Sequence, residues 1–91
     1  MTDNAALVQR IRSTLQERFA PQQLDIRDES AAHAGHAGGG KGHFRVRIVS
    51  PSFAGQTLVQ RHRLVHDALA QLLATEIHAL ALSAKAPDEV P

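Results

Sequence analysis

The sequence predicts a small α+β domain of order α-β-β-α-β, with helices packed on one face of a three-stranded mixed sheet. Three observations carry this. Apolar residues recur at three- and four-residue spacing in two stretches, from Leu7 to Phe19 and from Leu58 to Leu73. They alternate with polar residues in three shorter runs, near Leu24, Phe44 and Leu80. A glycine-rich segment, 31–42, separates the first two of those runs.

In the first helix, Leu7, Val8, Ile11, Leu15 and Phe19 make one apolar stripe. Asp3 or Asn4 can cap its start. Pro21 ends it, because the residue before a proline avoids the α region. Leu24 and Ile26 alternate with Asp25 and Arg27, a short strand ending near Ser30. Residues 31–42 hold five of the six glycines, so this loop is costly to order, and its length marks it as functional or disordered. Phe44, Val46 and Ile48 alternate with Arg45 and Arg47 in a second strand that Pro51 stops. Ser52-Phe53-Ala54-Gly55 is a turn. The main helix is expected from Thr57 to about Thr75, with a stripe of Leu58, His62, Val65, Leu69, Leu72 and Leu73. A third strand is expected from Ile77 to Ala84, with His78, Leu80 and Leu82 on one face. Pro87-Asp88-Glu89 can start a last short turn.

With 91 residues the chain is read as a single domain, 1–91, with room for one modest core. Three phenylalanines are its only aromatics, so that core is mostly aliphatic. There is no cysteine, which excludes disulfides and any thiolate chemistry of its own. No apolar run approaches the roughly 20 residues of a membrane span, and the N-terminus lacks a signal-peptide pattern. The expectation is therefore a cytoplasmic protein that does not engage membranes. The net charge is +1, but no acidic residue lies between Glu29 and Asp67. That stretch carries Lys41, Arg45, Arg47, Arg61, Arg63 and five of the six histidines, a local positive field.

Topology adds a consequence. The first two strands should be antiparallel and the second and third parallel. The end of the first, the start of the second and the start of the third then share one end of the sheet. His33, His36, His43 and His78 should gather there, with Arg61-His62-Arg63 at the opposite end.

At this point the residues resemble a known family. Asp28-Glu29-Ser30, His33-Ala34-Gly35-His36, His43-Phe44, Ile48-Val49-Ser50, Phe53-Ala54-Gly55, Arg61-His62-Arg63-Leu64-Val65 and Ile77-His78-Ala79-Leu80-Ala81-Leu82 resemble the BolA family over nearly the whole chain. The C-terminus departs from it, ending soon after Pro87-Asp88-Glu89 where many members continue. The resemblance implies a fold like the class II KH domain. It implies partnership with monothiol glutaredoxins, with which BolA proteins share a 2Fe-2S cluster. It also implies, for some members, a nucleic-acid-binding regulatory role.

Each candidate residue has a plainer reading beside the functional one. A lone histidine at a strand start is ordinarily half-buried and hydrogen-bonded; the convergence of His78 with the loop histidines, and its match to the family's cluster-ligand histidine, favour ligation. His33 and His36 can be merely solvated, yet both can reach a metal near the sheet end. His33 best matches the family's second ligand position, His36 comes next, and His43 third. A chain without thiolates cannot hold an iron–sulfur cluster alone, but it can supply imidazoles to one whose thiolates come from a partner. The free protein is thus expected to be a monomer without cofactor. His62 reads as a packed structural histidine, with Arg61 and Arg63 facing outward to contact phosphate or be solvated.

Against nucleic acid stand the near-zero net charge and the missing GxxG loop, since only Gly55 follows Phe53. Gly35-x-x-x-x-Gly40-Lys41 nearly spells a P-loop, but Gly42 stands where Ser or Thr is needed and the segment joins two strands. Asp28 and Glu29 point to opposite faces of a strand and make no carboxylate pair. The expectation is a non-enzymatic iron–sulfur adaptor. The alternatives are a nucleic-acid-binding transcriptional regulator using the basic stretch 41–63, binding weakly, and a plain interaction module without metal.

Overall fold

The computed structural model describes residues 5–29 and 42–90. Their elements are α1 (Ala5–Phe19), β1 (Gln23–Asp28), β2 (His43–Val49), a 3₁₀ turn (Pro51–Phe53), α2 (Leu58–Ala68), α3 (Ala70–Thr75), β3 (Ala79–Lys85) and a second 3₁₀ turn (Pro87–Glu89). The sheet order is β1-β2-β3, with β1 antiparallel and β3 parallel to β2. This is the predicted α+β architecture.

The helices share one face of the sheet. Leu7, Ile11, Leu15 and Phe19 of α1 join Phe44, Val46 and Ile48 of β2 and Val65, Leu69 and Leu72 of the later helices in one buried cluster. Arg45 and Arg47, alternating with those β2 residues, stay exposed on the other face. The buried hydroxyl of Ser50 donates to the Phe19 carbonyl at 2.6 Å and accepts from the Ser52 N–H at 3.1 Å, joining the end of α1 to the turn after β2. The Phe19 and Phe53 rings pack there with centroids 5.2 Å apart.

Three expectations need correction. The main helix is two helices meeting at Leu69, whose backbone (φ −102°, ψ 12°) interrupts the spiral. The third strand begins two residues late. The N–H groups of Glu76 and Ile77 both bond to the Leu72 carbonyl, so Ile77 closes the helix and plugs the core instead of entering the ladder. The α2 stripe is also rotated: Arg61 is buried and His62, Arg63 and Leu58 are exposed. His62 is one residue, about 100° of helix, away from the inward direction.

Candidate functional site

The register places Asp28 opposite Phe44 and His43 beside Ala79, so the end of β1 and the starts of β2 and β3 share one end of the sheet. His43 opens β2 and is half-buried; His78 immediately precedes β3 and is exposed. Their ring centroids lie 5.5 Å apart, with the planes tilted by 33°. Thus the structure brings together two of the four histidines expected at this end. His33, His36 and Lys41 lie outside the described residues.

Both backbones are pinned. The Glu29 N–H donates to the His43 carbonyl at 2.8 Å, extending the β1–β2 pairing by one bond. The Gly42 carbonyl accepts from the N–H groups of His78, at 2.9 Å, and Ala79, at 3.1 Å. Gly42 has φ +69°, and a Cβ there would sit 2.4 Å from the Glu76 carbonyl oxygen and 2.8 Å from the His78 nitrogen. Only glycine allows this approach. Sequence reasoning missed Gly42, because nothing distinguished it from the other glycines of its segment. The Glu29 carboxylate beside the pair is engaged by the Arg45 Nε at 3.0 Å.

No group of three or more His, Cys, Asp or Glu side chains gathers to hold a metal among the described residues. Among the described residues, the imidazoles brought together at this end are those of His43 and His78. Such a set fits one iron of a cluster whose remaining ligands come from elsewhere, as in Rieske centres, and does not fit a cluster held by this chain alone.

At the opposite end of the sheet, Arg61 is a structural residue, which overturns its expected role as an outward phosphate contact. Its Nε donates to the Gln56 carbonyl at 3.0 Å and its Nη1 to the Ala84 carbonyl at 3.1 Å. Nη1 and Nη2 also grip the two carboxylate oxygens of Glu89 at 2.5 and 3.2 Å. Glu89 in turn accepts the Ala86 N–H at 2.7 Å. The Arg61 hydrogen bonds, then the Ala86 N–H, hold the Glu89 carboxyl below its ordinary value. A guanidinium with this many acceptors can be buried, where sequence reasoning kept the charge outside. Of the other cations expected to meet nucleic acid, Arg45 is paired with Glu29, Arg47 donates to the Gln23 side chain at 2.9 Å, and Arg63 is exposed on α2. Arg45 and Arg47 lie on the sheet face away from the helices, so the cations do not form one surface with Arg63.

A family model described as BolA-like protein matches residues 15–89. The chain is 49% identical over 77 residues to BolA-like protein 1 of Mus musculus, covering 85% of this chain and 56% of that one. It is 44% identical over 88 residues to SufE-like protein 1, chloroplastic/mitochondrial, of Arabidopsis thaliana, covering 89% of this chain and 24% of that one. It is 42% identical over 74 residues to the DNA-binding transcriptional regulator BolA of Escherichia coli (strain K12), covering 81% and 70%. The chain therefore spans about half the length of the mouse relative and a quarter of the plant one. Among solved structures, BolA1 from Arabidopsis thaliana superimposes with a TM-score of 0.82 at 41% identity, over the full length of both chains.

Proposed function

The chain belongs to the BolA family, and from that premise we propose that it is a non-enzymatic adaptor that lends histidine ligands to a 2Fe-2S cluster shared with a monothiol glutaredoxin. The observation that carries this reading is the His43–His78 pair, two imidazoles 5.5 Å apart at the sheet end from which the segment bearing His33 and His36 departs. His78 is the fixed ligand. Its backbone is tied to Gly42, so few degrees of freedom remain to be lost when its ring binds. The second ligand comes from His33, His36 or His43. The partner supplies the thiolates that this cysteine-free chain lacks. Neutral imidazole in place of thiolate leaves such a cluster less negative and raises its potential, the property an adaptor would contribute. Because only neutral imidazole ligates, assembly weakens in acid.

The experiment is titration of the chain into cluster-loaded monothiol glutaredoxin, followed by visible absorption and circular dichroism. A new spectrum that saturates at a fixed ratio supports the reading. An unchanged glutaredoxin spectrum, or stoichiometric iron and sulfide in the chain purified alone, overturns it.

The regulator reading draws on the name of the Escherichia coli relative. The burial of Arg61 and the pairing of Arg45 with Glu29 weigh against it here.

A further inference from the structure

We propose that two copies of this chain pair edge to edge through β1, antiparallel and centred on Ile26, joining their three-stranded sheets into one. β1 is an edge strand, with β2 as its neighbour on one side and no strand on the other among the described residues. The Glu29 N–H bonds to the His43 carbonyl, one step beyond the pairing of Asp28 with Phe44. By alternation Arg27 and Asp25 also turn their backbone polar groups toward β2, and Ile26 and Leu24 turn theirs to the outer edge. Centring on Ile26 lets the Ile26 residues of the two copies exchange a pair of hydrogen bonds. It also sets Asp25 opposite the second copy's Arg27, and Arg27 opposite its Asp25.

The charges choose both the occupant and the register. Asp25 and Arg27 are exposed. Within the chain Arg27 sits directly opposite Arg45, a like-charge pair, and meets the Asp25 carboxylate of its own strand at 3.4 Å. Arg45 is held by Glu29. A carboxylate arriving on the open side of Arg27 offsets the repulsion, and Asp25 of a second copy supplies it. Pairing centred on Asp25 or on Arg27 would instead set like charges face to face. On the helix side of the seam, buried Ile26 and half-buried Leu24 bring apolar side chains together. The plainer reading is that charged residues on an edge strand deter pairing. They do so for any partner whose charges fail to match, and a second copy matches in this register. The pairing departs from the monomer expected from the sequence and does not depend on the cluster reading.

The test uses the full chain at rising concentration, by sedimentation equilibrium and amide hydrogen exchange. The mean mass should rise from one chain toward two, and fall back as salt screens the charge pairs. The Ile26 amide, which points outward in a single copy, should gain protection with concentration, while the Asp25 and Arg27 amides stay protected throughout. Arg27→Asp and Asp25→Arg should each weaken association by roughly 10- to 100-fold, because either reversal turns two attractive pairs into repulsive ones. Mixing those two variants, or combining both changes in one chain, restores opposite charges at every contact and should recover association close to wild type. A mass independent of concentration, with an unprotected Ile26 amide, overturns the proposal. So does association that the single reversals leave unchanged. Protection of Ile26 that appears only when another protein is added, with the chain itself monomeric, assigns the edge to that partner and overturns pairing between copies. Should a reversal variant fail to fold, the concentration dependence of the wild-type Ile26 amide still decides.

Discussion

Gly42 holds His78 at the mouth of β3. Its carbonyl oxygen accepts the His78 N–H at 2.9 Å, and its missing side chain lets the Glu76–His78 backbone come within what would be 2.4–2.8 Å of a Cβ. Gly55 is a natural control, since it too has positive φ, +76°, but nothing lies within 4 Å of a Cβ built there. Gly55→Ala should cost only the strain of a left-handed alanine, about 1–2 kcal/mol. Gly42→Ala carries the same strain plus a collision with backbone, and should cost roughly 3 kcal/mol or more. It should also abolish hydrogen-exchange protection at the His78 amide, which Gly55→Ala leaves intact. Equal stability losses, or a protected His78 amide in both variants, would remove Gly42 from its positioning role.

Arg61 ties the start of α2 to the end of β3. Arg61→Ala leaves the buried Ala84 carbonyl without its donor and opens a void, so denaturant unfolding should show a loss of about 2–3 kcal/mol. Arg61→Lys keeps the charge but cannot reach Gln56, Ala84 and Glu89 at once, and should recover less than half of that. Full stability in Arg61→Ala would mean that the clasp is ornamental.

The same clasp gives stability a pH dependence with a defined sign. The Glu89 carboxyl, held below its ordinary value of 4.5 by Arg61 and the Ala86 N–H, is more acidic folded than unfolded. Its contribution is therefore fully present above about pH 4.5 and is lost as pH falls through the lower folded value. Glu89→Gln should flatten this part of the acid limb. Stability curves of wild type and Glu89→Gln that run parallel below that pH would show the linkage to be absent.

Nucleic-acid binding, if measured, should be weak. With Arg61 internal and Arg45 paired, few cations of the basic stretch 41–63 are left to meet phosphates, and binding through that stretch should give a log affinity that falls against log salt with a slope of roughly −2 to −3. Tight binding at physiological salt that Arg63→Ala abolishes, in a folded variant, would promote the regulator reading.

What was legible in the sequence follows from periodicity. The α1 stripe, the alternation of β2 and the convergence of His43 with His78 required only spacing and topology. The direction of α2 was not legible, because Leu58, Val59 and Leu64 are apolar yet exposed, and so blur the inward face that Val65 marks. Polarity then favoured His62 over Arg61, and the acceptors that reverse that choice, the carbonyls of Gln56 and Ala84 and the Glu89 carboxylate, are distant in sequence or irregular in backbone. Gly42 was hidden for a similar reason, since its close approach involves Glu76 and His78, more than thirty residues away.

If the proposed cluster sharing holds, the candidate ligands should respond unequally to mutation, because a glycine-rich sequence costs more backbone entropy to fix than the start of a strand. His78 is anchored by the Gly42 bond and leads directly into a strand. His33 and His36 belong to a segment with four glycines between residues 35 and 40, and fixing such a backbone costs about 1–2 kcal/mol per residue. His78→Ala removes the candidate ligand whose backbone is already anchored and has no neighbour in the strand to replace it, so the shared spectrum should vanish. His33→Ala should weaken assembly less, since His36 can be offered in its place and His43 already stands beside His78. The double variant His33→Ala with His36→Ala then separates two cases. Loss equal to that of His78→Ala assigns the second ligand to the glycine-rich segment. Retention of the spectrum, abolished only when His43→Ala is added, assigns it to His43. A His78→Ala variant that keeps the wild-type circular dichroism and affinity would show that the site lies elsewhere on the molecule.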